Sequence, residues 1–285
     1  MLTGVVECYR TNRMQEEWEK LGGTFLQVNP KHFSFESTPQ GLKQLSIPEL
    51  NQGVDAIFDV GYHNYPELST YIKQLVDGGA TLLSGSTMLQ PQHQSSAINR
   101  YQVLSTIEAP VPKTYFTFKD AADQIIPFLE FPVIIKNLET SRKKGVYKAD
   151  NEGQYNKIIG GLDSNTAPIA VKQYIPHKRE HRVVVIDYKV EAILTRTGSN
   201  NEFLGAFTES AKREAQNIDE YKELCRIATA CSEALNYNYV GFDILEDDNG
   251  NYWVVDINKR AMFEITETIT GVNIAEKICA LLWQS

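Results

Sequence analysis

Short apolar runs alternate with amphipathic stretches through the N-terminal part of the chain. Strand-like runs fall at Leu2–Cys8, Thr24–Val28, Ala56–Val60 and Thr81–Leu83, with helical spacing at Arg13–Leu21 and Glu67–Asp77. Strands that take turns with helices predict an open α/β lobe on a parallel sheet. A helix-rich section begins near Gln94, and Ala109-Pro110-Val111-Pro112 leads into a strand at Tyr115–Phe118. The pattern then changes to strand Val133–Lys136, a polar loop, strand Gly145–Lys148, helix Glu152–Ile159, strand Ile169–Tyr174 and a long hairpin from Arg182 to Thr197. That order is of the α+β kind, in which two sheets clasp a ligand. Helices at Ile218–Leu235 and Val272–Leu282 complete a last lobe. The expected organisation is an α/β domain over 1–90, a central lobe over 91–168 and a C-terminal lobe over 169–285, without internal repeats or low-complexity segments.

The most informative pattern lies at Tyr239–Glu264, where two short strands turn back at Asp248-Asn249-Gly250. An Asn-Gly pair supplies the positive φ of a tight hairpin turn. Alternation on the second strand puts Asp256 and Asn258 on one face, and the antiparallel return brings Asp243 beside them. Two carboxylates and a carboxamide make a hard, incomplete oxygen site. Such a site suits magnesium that completes its coordination with waters and substrate phosphates, which points to a nucleotide. The plainer alternative is two polar residues at strand ends. Against it, Trp253, Val254, Val255 and Ile257 flank the acids, and a charge among apolar neighbours is costly unless a cation neutralises it.

Composition narrows the classes. With 285 residues, 42% of them hydrophobic and 22% charged, the chain has room for two or three small lobes with a core. A net charge of −8 argues against a general nucleic-acid binder, which needs a basic face. Cys8, Cys225, Cys231 and Cys279 form no C-x-x-C pair and read as buried free thiols. No signal-like start and no apolar run of about 20 residues is present, so the expectation is a cytoplasmic protein with neither membrane nor nucleic-acid partners. His32, His63, His93, His177 and His181 lack zinc-type spacing and read as structural, with His181 singled out by its place between Glu180 and Arg182. Trp18, Trp253 and Trp283 read as core.

Lys136 ends an apolar strand just before the loop Asn137–Gly145, which also carries Arg142, Lys143 and Lys144. A strand-end cation before a polar loop is a phosphate clamp or, equally, an ordinary surface loop. Gln173, Tyr174 and Ile175 end a strand before Pro176, where backbone groups meet an adenine edge or the strand simply closes a core. Arg182 and Arg196 bracket the next hairpin, and each is a charge for a transferring phosphoryl group or a structural arginine.

The order of these elements, ending in Gly241-Phe242-Asp243-Ile244-Leu245, Asp256-Ile257-Asn258 and the stretch Glu267–Ile278, resembles the ATP-grasp superfamily and, within it, the RimK-type amino-acid ligases. The resemblance runs from Ala97 to Ile278. It implies a three-lobed fold, α/β and α+β, with an N-terminal open α/β domain and ATP held between the central and C-terminal lobes. It implies Arg100 and Lys136 on the phosphates, Lys143 in the lid, Gln173, Tyr174 and Ile175 at the adenine, and Glu180 on the ribose. Arg182, Arg196 and Asn201 then face the triphosphate or an acyl intermediate, with Ser199 and Asn200 in the same loop. Asp243, Asp256 and Asn258 match the magnesium ligands, for one ion or two, with manganese able to substitute. Dimers or tetramers are implied by the same resemblance.

Three departures stand out. Asp256 occupies a position where the family writes Glu, one methylene longer, so a bridge between two metals is put in question. The lid keeps Gly145 but has Thr140 and Lys143 at common glycine positions, trading close backbone approach for charge. After Asn258 comes Lys259-Arg260-Ala261-Met262 rather than a small, proline-containing turn, which hints at an acidic substrate. The implied reaction is attack of a carboxylate on ATP, giving an acyl phosphate that an amine then opens. The acceptor is an amino acid, a small peptide or a carrier-protein terminus. Two alternatives stand beside this: a peptide-modifying ligase that makes side-chain amide or ester crosslinks, and an ATP-binding module without turnover.

Overall fold

The computed structural model describes residues 1–4, 8–59, 66–83, 89, 96–138, 145–162, 168–198 and 212–283. The N-terminal lobe is a four-stranded parallel sheet of β1 (Leu2–Gly4), β2 (Leu26–Val28), β5 (Ala56–Phe58) and β6 (Thr81–Leu82), in the order β2-β1-β5-β6. Helices Tyr9–Lys20 and Ser69–Asp77 follow β1 and precede β6, as expected for α/β connections. A hairpin of β3 (Phe35–Thr38) and β4 (Gly41–Gln44) was not anticipated; Pro39-Gln40 make its turn, and Gly41 leaves it at φ +118°. Gln74 of the second helix locks that hairpin by exchanging hydrogen bonds with Leu42 N–H and C=O at 2.8 and 2.9 Å.

The central sheet is antiparallel, with β7 (Thr114–Thr117), β8 (Val133–Asn137), β9 (Val146–Ala149) and β10 (Ile169–Gln173) in the order β7-β10-β8-β9. The sequence assigned Ile169 onward to the C-terminal lobe. Instead β10 lies between β7 and β8, and Ile169 and Val171 pack with Val133 and Ile135 in this sheet's own core, so the two larger sheets part after Gln173. Helix Ala97–Thr106 departs in the other direction, sinking Leu104 into the core of the last sheet.

That last sheet holds β11 (His177–Ile186), β12 (Lys189–Thr197), β13 (Lys212–Ala215), β14 (Tyr239–Asp247) and β15 (Tyr252–Asn258), antiparallel in the order β13-β12-β11-β14-β15. Strict alternation on β11 splits its apolar residues between two cores. Val183 and Val185 meet helix Lys222–Leu235, whereas Val184 and Ile186 meet helix Ile274–Trp283 and the N-terminal Met14, Trp18 and Phe58. Each such side chain contributes about 1.5–3 kcal/mol on full burial, so the shared core fixes the N-terminal lobe to the sheet. A short helix, Glu264–Thr270, was not foreseen in the turn before Ile274. Trp18 is core as expected, but Trp253 is half-buried and Trp283 exposed; Cys8 and Cys225 are likewise only half-buried, unlike Cys231 and Cys279.

Candidate active site

Asp243 and Asp256 are directly paired across β14 and β15, and the next pair is Ile244 with Val254. Val255 is therefore a bulge residue, and its carbonyl turns out of the ladder. It accepts hydrogen bonds from Lys172 Nζ at 2.7 Å and Tyr101 hydroxyl at 3.1 Å, which pins the central sheet and helix Ala97–Thr106 to the end of the last sheet. The bulge keeps both Val254 and Ile257 in the core while Asp256 faces the opposite side. Asn258 donates Nδ2 to Asp243 Oδ2 at 3.2 Å, closing the expected carboxylate, carboxylate and carboxamide set.

A cleft with about 300 Å³ of empty space, open solvent included, runs between the two sheets and is lined by Arg100, Tyr101, Lys136, Leu138, Lys172 and Asp256. Lys136 Nζ lies 2.8 Å from Asp256 Oδ1, and that carboxylate remains 40% exposed toward the cleft. Burial pushes Asp256 up, but Lys136 and Lys172 outweigh it and hold the group below its ordinary value, so it is ionised. Lys172 is 6% exposed, hydrogen-bonds the Tyr101 hydroxyl and sits 4.6 Å from that ring's centre. Burial, opposed by Asp256 and reinforced by Arg100, pulls its ammonium down to about 8. Sequence reading missed both Lys172 and Tyr101. A lysine inside the apolar strand Ile-Ala-Val-Lys-Gln was the available signal, because a buried lysine needs partners.

On the second side of the site, Arg182 Nε stands 2.7 Å from Asp243 Oδ1 and a terminal nitrogen donates to Oδ2 at 3.1 Å. The Nε contact is off the N–H axis, so Oδ1 is buried without a well-aligned hydrogen bond. Burial raises the Asp243 carboxyl; Arg182 opposes the rise and Asp256 adds to it. Glu180 is held by Arg196 in a buried ion pair, and burial together with Asp243 raises its carboxyl. Gly241 is required here: a Cβ would meet Ala261 Cβ at 2.7 Å and an Arg182 nitrogen at 3.3 Å, so glycine lets the turn after β15 lie against Arg182.

At the expected adenine edge, Gln173 N–H donates to Lys113 C=O at 2.8 Å and Tyr174 N–H to Pro132 C=O at 3.2 Å. Ile175 is buried, its carbonyl is 2.7 Å from His177 Nδ1, and Lys148 lies 4.5 Å above the Tyr174 ring. His181 points away from the site to the other face of the sheet. On the N-terminal lobe's first helix, Tyr9 and Arg13 are engaged by Glu267, at 2.7 and 3.3 Å. Lys143, Ser199, Asn200, Asn201 and the stretch Gly61–Asn64 lie outside the described residues.

Three observations test the donor set against a divalent cation and a nucleotide: a buried Asp243 oxygen lacking an aligned donor, Asp256 in register opposite it, and Arg100, Lys136 and Lys172 around the adjoining cleft. Hard oxygen donors beside clustered cations fit magnesium and phosphates. Among the described residues no group of three or more His, Cys, Asp or Glu side chains forms a metal cage.

Residues 95–282 match the family profile of the RimK-like ATP-grasp domain. "Probable alpha-L-glutamate ligase" of Rhodopirellula baltica is 28% identical over 294 residues, covering 95% of this chain and 67% of that relative. A protein of the same name from Legionella pneumophila (strain Corby) is 28% identical over 213 residues, 70% of each chain. Among solved structures, the ATP-grasp ligase PsnB complexed with minimal precursor aligns with TM-score 0.76 at 17% identity, covering 99% of this chain and 97% of that one. The RimK domain protein ATP-grasp from Sphaerobacter thermophilus aligns with TM-score 0.68 at 16% identity, covering 98% of both chains. These likenesses establish the fold as that of the ATP-grasp ligases, N-terminal lobe included.

Proposed function

Because the chain belongs to the RimK-like ATP-grasp family and is an ATP-dependent ligase of that type, we propose that it joins a carboxylate to an amine through an acyl phosphate, forming a peptide or amide bond. The observation that carries this reading is the convergence of Arg100, Lys136 and Lys172 on one cleft with Asp256, itself paired with Asp243. Those cations hold the phosphates of ATP, and Asp243, Asp256 and Asn258 hold magnesium, one ion or two. Bound there, the metal supplies charge neutralisation at the transferring phosphoryl group. Gln173, Tyr174 and Ile175 border the adenine, and Glu180 is placed for the ribose.

A carboxylate oxygen of the substrate attacks the γ-phosphorus, the bond to the β–γ bridging oxygen breaks, and ADP leaves. Arg182 and Arg196 spread the charge that develops on the transferred group. The amine nitrogen then attacks the acyl carbon, loses its proton, and inorganic phosphate departs. No protein nucleophile is needed, since positioning and charge carry the reaction.

The decisive assay is magnesium-dependent ADP release with a pool of carboxylates and amines, using hydroxylamine as a trapping amine. Hydroxamate formation that disappears in Lys136→Ala supports the acyl phosphate. ATP binding without carboxylate-dependent release favours a binding module instead. A second reading, modification of a precursor peptide, draws on the full-length likeness to PsnB, whose structure holds a minimal precursor.

A further inference from the structure

β11 enters the last sheet with an irregular step. His177 pairs with Asp247 of β14 and Arg179 with Glu246, so Lys178 is left over as a bulge residue. Side chains directly opposite one another share a face, and one extra residue in a strand shifts its alternation. Arg179 therefore falls on the face of Glu246 and His181, whereas His177 joins the face of Asp247 and Leu245. That is also the face of Glu180, Arg182 and Asp243. Without the bulge, period-two alternation would put His177 on the other side with His181.

The two ring nitrogens of His177 differ. Nδ1 lies 2.7 Å from the Ile175 carbonyl oxygen. A carbonyl only accepts, so Nδ1 carries the proton, and Nε2 of the neutral imidazole is an acceptor. Burial pulls the imidazole below its ordinary value against the Ile175 hydrogen bond and Asp248, with Arg196 adding to the fall. Nε2 is itself buried and has no hydrogen-bond partner among the described residues. An acceptor hidden from water without a donor costs free energy that a donor on a ligand returns. The neighbours say which ligand. The Tyr174 ring, at the proposed adenine edge, has its centre 6.4 Å from that of the imidazole. Glu180, placed for the ribose and paired with Arg196, follows three residues on and shares the face. The nucleoside of ATP offers three donor groups to such a place: two ribose hydroxyls and the adenine amine.

Resting on the nucleotide reading, we infer that His177 Nε2 accepts a hydrogen bond from the nucleoside of ATP, from a ribose hydroxyl or the base amine, while Nδ1 holds the Ile175 carbonyl. His177 is thus a specificity-determining residue, which favours a nucleoside that presents an O–H or N–H at that point over one that lacks it.

The test is calorimetric titration of the full chain, with magnesium present, using ADP, 2′-deoxy-ADP, 3′-deoxy-ADP and purine riboside diphosphate, which lacks the amine. Wild type binds at least one analogue about fivefold more weakly than ADP, the scale of one neutral hydrogen bond. Glu180 is able to produce such a gap as well, so the readout is how the gap depends on position 177. His177→Asn keeps an N–H near the place of Nδ1 and removes the acceptor, and it brings the gap for one analogue below about twofold. The analogue whose gap closes names the donor. Should His177→Asn fail to fold, His177→Phe carries the same reading. A merely structural histidine would weaken all four ligands in proportion and leave every gap as it was. Gaps that survive substitution, or that are absent in wild type, overturn the role of His177 while ADP binding sustains the nucleotide reading; a wild type that binds no ADP overturns both.

Discussion

On one face of β11 and β14, Arg179, His181 and Glu246 form a closed set; on the other, Glu180, Arg182 and Asp243 leave a buried carboxylate oxygen without an aligned donor among the described residues. His181 is fully buried, with Nδ1 2.8 Å from the Thr195 hydroxyl and Nε2 3.0 Å from Glu246 Oε2, and Arg179 adds a 3.0 Å contact to the same carboxylate and a hydrogen bond to Tyr221. Burial pulls the His181 imidazole below its ordinary value, against the pull of Glu246. Every polar group named there has a partner, so that face contributes stability and specificity of packing. Across the sheet, Asp243 Oδ1 lacks an aligned donor and Asp256 opens into a cleft beside Lys136 and Lys172. Among the described residues, partners do not complete that set, which is the physical mark of a ligand site.

The largest effect is expected from Lys136→Ala. It lowers kcat/KM for ADP release by about 10²–10³-fold, the loss typical of one electrostatic contact to a transferring group, while denaturant unfolding stays near wild type. An unchanged rate would erase the distinction between the faces. His181→Ala is next and has the opposite signature: it leaves Glu246 short of a donor and costs about 2 kcal/mol of stability by urea unfolding, with kcat/KM per folded molecule within about twofold.

Lys172→Met should weaken ATP binding about tenfold, near 1.4 kcal/mol. Here the sign with pH is fixed. An ammonium at about 8 without nucleotide is driven toward its charged form by phosphates, so wild type takes up protons on binding ATP near pH 8–9 and its affinity falls as pH rises past 8. Calorimetry in buffers of different ionisation enthalpy reads that uptake, which vanishes in Lys172→Met. Smallest of all, Tyr101→Phe removes a hydroxyl from Lys172 and from the Val255 carbonyl and costs about 1 kcal/mol in ATP affinity, with the unfolding slope unchanged.

The same contrast explains what the sequence made legible. Asp243, Asp256 and Asn258 follow from alternation and a hairpin turn, which are local rules, and they meet as expected. The bulge at Val255 follows from no local rule visible in Trp253–Ile257, yet it aims the carbonyl that holds Lys172. Lys172 itself reads as part of a strand, and only tertiary packing shows that its ammonium is buried beside Asp256. His181 drew notice by sitting between Glu180 and Arg182, but period-two alternation puts it on the opposite face. The placement of β10 depended on pairing with β7 and β8, a long-range choice that an apolar run does not encode. The short helix Glu264–Thr270 was hidden by β-branched Ile and Thr, which favour strands.

The central claim is that the cleft between the central and last sheets holds the nucleotide, with its metal at the Asp243 and Asp256 pair. A crystal of the protein with ADP and manganese tests it directly through the anomalous signal. The account predicts a manganese peak between those two carboxylates and Asn258, with ADP phosphate oxygens within hydrogen-bond reach of Lys136; a peak or a nucleotide elsewhere, in crystals where both are bound, would contradict it.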